Sequence, residues 1–455
     1  MTTDLSPQDL LIAGASACAR AVQEGRVSAL ALCDAAIARI EAQDGAINAI
    51  VVRDFERGRE QARAADVARA RGERPPLLGV PMTVKESFNV AGLPTSWGLP
   101  PFKNFMPPAD AVAVARLKAA GAVILGKSNI AAGLADWQSS NPVYGNTANP
   151  RHHGRSAGGS SGGGAAAVAA GMVALEMGSD LFGSVRVPAH FCGVYGHKPS
   201  VGVLPTRGHD FPGTQMEPGD KPAVIGPLAR SADDLELVLS ALAGPDMPDD
   251  RAWRLALPVP RHERLGDFRV LLLTEHPAAA CSADMRQAIE DTGERMARAG
   301  AKVVRQSDLL PDLQAISDTY STVVTTFLGA FEPGGSTTLT AHDWIRLMGQ
   351  RDAVRVQWRA FFKQFDALLC PPFGCAAFPH ESNPDFEARR LTIDGRPTPY
   401  GAQGAWSTMA SLAGLPATVA PVARDADGLP LGVQIIGPFL EDRTPIALAR
   451  LLATD

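Results

Sequence analysis

Residues 156–164 read SAGGSSGGG, and the apolar run AAAVAAGMVALEM follows at once at 165–177. Glycine and serine fill all but one of these positions, a composition that is typical of a flexible linker. The stretch leads directly into residues 161–170, however, and their small apolar side chains predict a buried helix. Composition alone leaves open whether this run is a linker or a packed segment, since glycine permits both flexibility and unusual dihedral angles.

The segments on both sides of this joint alternate between helical and strand patterns. Ser28 is the expected N-cap of a helix predicted at 29–41. The alternation predicts a layered α/β fold with much parallel pairing. Helices are predicted at 7–24, 29–41, 54–72, a segment that ends near Ala120, 161–170 and about 444–452. Strands are predicted at 46–52, 77–84, 122–125, 172–177, 365–372, 416–422 and 431–437.

The bulk composition is that of a soluble chain of enzyme size. The 455 residues are 45% hydrophobic and 20% charged, with a net charge of −5. This balance provides no electrostatic basis for binding nucleic acid or an anionic membrane. The first residues lack the pattern of a signal peptide, and no apolar run is long enough for a membrane span. We expect a cytoplasmic protein with no nucleic-acid or membrane partner.

Metal and disulfide sites are not indicated by the sequence. His152 and His153 lie in a predicted loop beside two arginines, where most histidines are surface groups, and there is no HExxH motif. The cysteines are scattered and form no CxxC pair, which favours a reducing compartment. They are Cys18, Cys33, Cys192, Cys281, Cys370 and Cys375.

Two short motifs match known patterns by accident. GAVILGKS (121–128) fits the phosphate-binding pattern GxxxxGK[ST], but its central residues predict a buried strand where an irregular turn is needed. GGSSG (158–162) fits the nucleophile elbow GxSxG, but the polar residues before it do not predict the supporting strand. An esterase-type α/β-hydrolase therefore remains only an alternative.

Lys85 lies in the apolar segment GVPMTVKESFNV (79–90), where burial would disfavour its charged form. One interpretation is a structural ion pair with Glu86 or with an aspartate elsewhere in the chain. The other is a neutral amine that serves as a general base. The segment alone does not decide between the two.

The segment GSDLFGSVRVP (178–188) contains a second candidate group. Gly183 allows a tight turn that presents consecutive backbone N–H groups, and such a turn can hold an oxyanion. Ser184 would attack a carbonyl while the amides of Leu181, Phe182, Gly183 and Ser184 stabilise the developing charge. A plain capping turn is the alternative, because serine and glycine form such turns frequently.

Several ordered blocks together resemble the amidase signature family. GGSSGG (158–163) and SVRVPAHFCGVYGHKPS (184–200) look like its core signature, with 24 residues from Ser160 to Ser184. LLGVPMTVKESFNVAGLPTSWG (77–98) is similar to its lysine segment. The resemblance also covers SNPVYGNTANP (140–150), GPLARSADDLELVL (226–239) and GLPATVAPVARDADGLPLGVQIIGP (414–438).

The resemblance implies a fold and a domain organisation. We expect an α/β fold with a large mixed, mostly parallel β-sheet covered by helices on both faces. Residues 1–455 would form a single domain. Its catalytic core would cover about 77–240, with a helical N-terminal part (1–76) and C-terminal strands and a helix (365–455) that complete it.

The resemblance also implies residue roles. Ser184 matches the nucleophile, and Ser160 matches a bridging serine that follows a cis peptide bond after Gly159. The resemblance therefore implies that the glycine run is a packed joint and not a linker, because glycine permits unusual dihedral angles and close approach of neighbouring segments. Lys85 matches the base that acts through Ser160. Ser161, Asp180 and Arg186 match supporting positions, and we expect an ion pair between Asp180 and Arg186. The family usually has glycine where this chain has Phe182, which supplies the same backbone amide without glycine's freedom at positive φ.

The implied function is hydrolysis of a carbon–nitrogen amide bond through an acyl-enzyme on Ser184, without metal or organic cofactor. The substrate would be a small-molecule amide or carbamate such as an aryl amide, anilide or urethane, and the protein a monomer or homodimer. The amidase subunit of a glutamyl-tRNA amidotransferase is an alternative. Residues 205–225 could form a lid. Candidate substrate-binding residues are Trp97, Trp137, Phe182 and Phe191.

Overall fold

The structure is a computed structural model that describes residues 5–214, 222–329 and 339–453. Its β-strands are β1 (Ile50–Arg53), β2 (Pro81–Lys85), β3 (Val123–Ser128), β4 (Ser140–Asn141), β5 (Gly145–Asn146), β6 (Ala148–Asn149), β7 (His152–Ser156), β8 (Leu175–Asp180), β9 (Tyr195–Lys198), β10 (Val224–Ala229), β11 (Arg269–Leu272), β12 (Lys302–Val304), β13 (Ala367–Cys370), β14 (Arg390–Ile393), β15 (Arg396–Pro399), β16 (Ala417–Arg424) and β17 (Pro430–Ile436). Its α-helices are α1 (Pro7–Ala13), α2 (Ala15–Gln23), α3 (Ala29–Ile47), α4 (Phe55–Ala70), α5 (Val112–Ala119), α6 (Gly162–Ala169), α7 (Arg186–Cys192), α8 (Ala232–Leu242), α9 (Ala283–Arg298), α10 (Leu313–Gly329), α11 (Ala341–Gln364), α12 (Ala405–Ser411) and α13 (Arg443–Leu451).

The centre of the fold is an 11-stranded sheet with the order β1-β3-β2-β8-β10-β9-β16-β17-β13-β11-β12. Helices pack against it along its length, including α4 on β3, α6 on β8, α7 on β17 and α13 on β16. The predicted large mixed α/β sheet is therefore confirmed. Within the described ranges, parallel pairing is confined to β3-β2-β8 at one end and β13-β11-β12 at the other. Antiparallel neighbours join these two groups. The sheet was predicted to be mostly parallel, but parallel pairs do not predominate in it.

The N-terminal helices differ from the prediction in their bounds. The single helix expected at 7–24 is two helices, because Gly14 (φ 104°) interrupts it. A Cβ at this glycine would lie 2.2 Å from a carboxylate oxygen of Asp234, so a side chain has no room there. Ser28 caps α3 as predicted, since its hydroxyl accepts a hydrogen bond from the Ala31 amide. This helix continues to Ile47, and β1 begins later than predicted for that reason.

The two accidental motifs can be compared with the structure directly. The central residues of the phosphate-binding pattern form β3, a fully buried strand, as predicted. A short strand, β7, does precede the glycine run, which the sequence did not predict. It forms a two-stranded ribbon with β6, makes one further bridge from Arg155 to Pro379 and is mostly exposed. It is therefore unlike the buried strand that supports a nucleophile elbow.

The parallel group β3-β2-β8 sets the position of the candidate site. All residues of β2 are buried, as expected for a parallel strand paired on both sides. Because β2 and β8 run parallel, with Met82 opposite Leu175 and Val84 opposite Met177, their carboxyl ends meet at one edge of the sheet. Lys85 ends the first strand, and Asp180 ends the second. The fold therefore brings the two predicted segments together.

Three further predictions concern membrane spans, the lid and the domain organisation. No helix in the described part of the chain is long and apolar enough to cross a bilayer. Residues 215–221, within the predicted lid 205–225, lie outside the described residues, and the lid stays a prediction. The single domain also stays a prediction, although the main apolar core runs from Leu10 to Leu452.

Candidate active site

Lys85 is fully buried at the carboxyl end of β2. Its Nζ donates hydrogen bonds to Ser160 Oγ at 2.6 Å and to Ser179 Oγ at 2.9 Å. No carboxylate in the described part of the chain lies within salt-bridge distance of this amine. Glu86 instead accepts hydrogen bonds from the amides of Ser96 and Trp97. The ion pair that the sequence left open between Lys85 and its neighbour is therefore not formed.

Burial shifts the pKa of two ionisable groups in β2 and β8, Lys85 and Glu176, toward neutral. It lowers the pKa of Lys85 from 10.5 to about 7, against the opposing charges of Asp180 and Glu176. Burial also raises the pKa of Glu176 to about 7, although hydrogen bonds from Ser128 and Thr83 oppose that rise. A large fraction of Lys85 is therefore neutral at physiological pH and able to accept a proton.

The glycine run that contains Ser160 is a packed joint. A Cβ at Gly159 would lie 2.4 Å from the Asp136 carbonyl oxygen, and one at Gly163 would lie 2.3 Å from the Asn129 amide nitrogen. These obstacles are main-chain atoms, so no side-chain rotation would relieve them. The peptide bond between Gly159 and Ser160 is cis, as predicted. Glycine is thus required by close packing of the backbone, and the interpretation as a joint is supported.

The loop from Asp180 to Arg186 joins β8 to α7, and we call it the nucleophile loop. The Asp180 carboxylate accepts hydrogen bonds from the amides of Gly183 (2.9 Å) and Val185 (3.0 Å). It also pairs with the Arg186 guanidinium, at 3.0 Å from Nε and 2.8 Å from Nη2, with both side chains fully buried. Burial alone would raise the pKa of this carboxyl, but Arg186 holds it well below its usual range. The predicted ion pair is present and fixes the loop.

Ser184 lies in this loop and is 6% exposed. Its carbonyl oxygen accepts a hydrogen bond from the Ser161 amide at 3.2 Å, which ties the nucleophile loop to the glycine run. Its hydroxyl makes no hydrogen bond to any residue that the structure describes. The expected contact between the Ser160 and Ser184 hydroxyls is therefore not a hydrogen bond here. Ser161 holds the neighbouring backbone through its hydroxyl, which donates to the Ser179 carbonyl at 3.3 Å.

The four amides predicted to hold an oxyanion fall into two groups. The Gly183 amide donates to Asp180, so the expectation that it also faces a substrate is not supported by the geometry. The amides of Leu181, Phe182 and Ser184 have no acceptor among the described residues. Gly183 itself adopts φ +93°, which explains the need for glycine at that position.

Aromatic side chains pack against the nucleophile loop. Trp137 stacks on Phe182, with ring centroids 5.7 Å apart, and Phe182 stacks on Tyr320 at 5.5 Å. Phe191 is fully buried in an adjacent apolar cluster. Trp97 lies elsewhere, against Phe211 at 5.6 Å and a neighbouring histidine. Of the four candidate substrate-binding residues, Phe182 therefore belongs to the loop and Trp137 contacts it.

Sequence reasoning missed two residues that contact this site. Ser179, one residue before Asp180, is an additional partner of Lys85. Tyr320 of α10 donates a hydrogen bond to the Leu181 carbonyl. The first could have been found from its position beside the predicted loop. The second had no signal in the sequence, because it lies 139 residues from its partner.

The cavities of the protein differ in their relation to this site. A cavity of about 760 Å³ is lined by residues such as Arg355, Trp358 and Phe439 and contains none of the predicted catalytic residues. A smaller one, of about 80 Å³, is lined by Tyr320, Ser411 and apolar residues of α10 and α11. Tyr320 lines the smaller cavity and also contacts the nucleophile loop through the Leu181 carbonyl, so this cavity lies beside the loop.

Comparisons with known proteins identify relatives over nearly the whole chain. The sequence profile of the Amidase family matches residues 31–333 and 328–445. AtzE of Pseudomonas sp. (strain ADP), named as a subunit of 1-carboxybiuret hydrolase, is 36% identical over 442 residues, which cover 91% of this chain and 92% of that protein. A glutamyl-tRNA(Gln) amidotransferase subunit of Roseiflexus castenholzii (strain DSM 13941 / HLO8) is 32% identical, with 92% and 91% covered.

A solved structure supports the same relationship in three dimensions. It is an inhibitor-bound form of a vestigial protein complex that is said to reveal the evolutionary origins of an s-triazine catabolic enzyme. It is 32% identical to this chain, superposes with a TM-score of 0.84, and covers 96% of this chain and 98% of that one.

Proposed function

The chain belongs to the Amidase family, and on that premise we propose that it hydrolyses a carbon–nitrogen amide bond through an acyl-enzyme on Ser184. Lys85 is the base, Ser160 relays the proton, and the amides of the nucleophile loop stabilise the oxyanion. The observation that carries this proposal is the 2.6 Å hydrogen bond between the Lys85 amine and the Ser160 hydroxyl. The Lys85 amine has a pKa of about 7 and, in the described ranges, no carboxylate within salt-bridge distance. Its neutral form can therefore serve as the base.

The proposed reaction has two steps. In the first, neutral Lys85 takes a proton from Ser160 as Ser160 takes one from Ser184, and Ser184 Oγ attacks the substrate carbonyl. The same relay returns the proton to the leaving nitrogen as the carbon–nitrogen bond breaks. In the second, water attacks the acyl carbon and gives a proton to the relay, and the relay returns a proton to Ser184 Oγ as the ester bond breaks and the acid leaves. Catalytic hydrogen bonds often tighten only in complexes, so we expect the Ser160–Ser184 contact to shorten with substrate.

The nucleophile can be identified by covalent labelling. We expect a fluorophosphonate to add a single mass to the wild type, on the peptide that contains Ser184, and Ser184→Ala to abolish both labelling and turnover. Ser240→Ala is a matched control, because that serine lies on α8 and its hydroxyl donates to Glu236, away from the site. Undiminished turnover in Ser184→Ala, or equal labelling of it, would show that another group is the nucleophile.

The substrate is proposed to be a small amide with an aromatic or apolar group. The basis is the ring cluster of Trp137, Phe182 and Tyr320 beside the nucleophile loop. The relative AtzE carries the name of a 1-carboxybiuret hydrolase, so a urea- or carbamate-like substrate belongs in the same test. To identify the substrate class, kcat/KM is compared for a primary amide, an anilide, a carbamate and an ester. Higher kcat/KM for the ester than for every C–N substrate would favour the esterase alternative.

A second candidate is the amidase subunit of a glutamyl-tRNA amidotransferase. It is favoured by relatives with that name that match over nine-tenths of the chain. Such a protein would release ammonia from glutamine and would copurify with partner subunits from its source cells. Absence of glutaminase activity, together with turnover of an anilide or carbamate by the isolated chain, would exclude it.

A further inference from the structure

Phe182, in the nucleophile loop, stacks on two aromatic rings. The Trp137 ring lies parallel to it within 19°, and the Tyr320 ring within 17°. Gly404 provides the space for the Phe182 ring, since a Cβ there would lie 2.1 Å from its Cε1 atom. These contacts fix a side chain at the position where the family usually has glycine.

The same two flanking side chains hold consecutive carbonyl groups of this loop. The Tyr320 hydroxyl donates to the Leu181 carbonyl oxygen, and the Trp137 indole Nε1 donates to the Phe182 carbonyl oxygen at 2.8 Å. Both donors are buried, with Tyr320 1% and Trp137 4% exposed. Each carbonyl therefore has one fixed direction, set by a side chain from outside the loop.

A fixed carbonyl also fixes the amide of the next residue. A trans peptide is planar, so its C=O and N–H point in opposite directions. Within the described residues, neither peptide of this loop is among the cis bonds. The Tyr320 contact thus turns the Phe182 N–H away from Tyr320, and the Trp137 contact turns the Gly183 N–H away from Trp137.

The two amides oriented in this way have different surroundings. The Gly183 N–H meets the Asp180 carboxylate at 2.9 Å. The Phe182 N–H has no acceptor in the part of the chain that the structure describes. An oriented donor without an acceptor, two residues before the nucleophile, is suited to hold negative charge that develops on a substrate oxygen.

We propose that Tyr320 is a positioning residue that aims the Phe182 N–H at the oxyanion, and that Trp137 secures the adjacent Gly183 peptide against Asp180. This inference rests on the proposed function, because it assumes that Ser184 is the nucleophile. It also assigns a role to Phe182. Its ring, stacked on Trp137 and Tyr320, keeps the loop in one conformation, a role that a glycine lacking a side chain could not fill.

The test compares two phosphonylating probes on the same protein. A fluorophosphonate and its P=S counterpart both react as Ser184 Oγ bonds to phosphorus, fluoride leaves, and the serine proton passes into the relay. Sulfur accepts hydrogen bonds weakly, so the P=O to P=S rate ratio reports how well the amides hold the oxygen. The ratio is formed within each variant, so any loss of folded protein cancels.

We expect Tyr320→Phe to keep the stacked ring but to lower the ratio by about tenfold, less than the roughly 10²–10³ of deleting a donor outright. Tyr195→Phe is the matched control, because it also removes one hydroxyl from a buried tyrosine, at the start of β9, and should leave the ratio unchanged. Trp137→Phe should lower the ratio less than Tyr320→Phe does, since the Gly183 amide already has Asp180 as its acceptor.

Three outcomes would count against the proposals in distinguishable ways. A Tyr320→Phe ratio equal to that of the wild type would overturn the positioning role while leaving Ser184 as the nucleophile. An equal or larger loss in Trp137→Phe would refute the assignment to the Phe182 amide. A wild type that reacts with neither probe would overturn the proposed function itself.

Discussion

The pH dependence of Ser184 reactivity tests the proposed base directly. Lowering the pH protonates Lys85. Burial lowers the pKa of this amine from 10.5 to about 7. At pH 7 an ordinary lysine would be neutral in roughly one molecule in 3,000, whereas a group with a pKa of about 7 is neutral in about half. Burial therefore increases the population of the reactive form by about a thousandfold.

The sign of the effect follows from the need for a neutral base. Reactivity should be maximal above pH 7 and should fall as the pH drops through the pKa of Lys85, because protonation removes the lone pair that accepts the serine proton. With that pKa, the rate at pH 6 should be about one-fifth of the rate at pH 7, and at pH 5 about one-fiftieth.

The assay is the second-order rate of fluorophosphonate labelling from pH 5 to 9, followed by intact mass. Lys85→Arg should be unreactive over the whole range, because a guanidinium stays charged. Lys198 is a necessary control, since burial lowers its pKa to about 7 as well. Lys198→Met should leave the midpoint in place. A wild-type midpoint above about pH 9, a flat profile, or a midpoint that moves only in Lys198→Met would refute the reasoning.

Two stability predictions follow from the packing around the site. Gly159→Ala should destabilise the protein by about 1–3 kcal/mol in urea unfolding, because its methyl group would meet main-chain atoms, whereas Gly349→Ala, with open space at its Cβ, should not. Equal effects of the two would contradict the packed joint. Asp180→Asn should cost about 3–5 kcal/mol, since it leaves the buried Arg186 charge unpaired. The exposed Asp267→Asn should have no measurable effect on the urea midpoint, and a similarly small loss in Asp180→Asn would show that the buried pair is dispensable.

The antiparallel middle of the sheet shows where the sequence was insufficient for the fold. Seven strands of the sheet were predicted close to their observed positions, because apolar runs bounded by turns are local features. They are β1, β2, β3, β8, β13, β16 and β17, whereas β9, β10, β11 and β12 were not predicted. The direction in which β9, β16 and β17 pair depends on the path of the chain between them. That path is set by packing of α7 and α13 against these strands, which no local pattern describes.

The sequence by itself predicted the proposed catalytic groups, Lys85, Ser160 and Ser184, because the ordered motifs that contain them resemble those of the amidase signature family. The Lys85 segment alone left a structural ion pair open. The loss of the Gly183 amide to Asp180 and the contact of Tyr320 with the Leu181 carbonyl were decided only by the tertiary structure. Hydrogen bonds are directional and short, so whether a given amide faces a substrate depends on atoms brought from distant segments. Such atoms leave no trace in the residues around the motif.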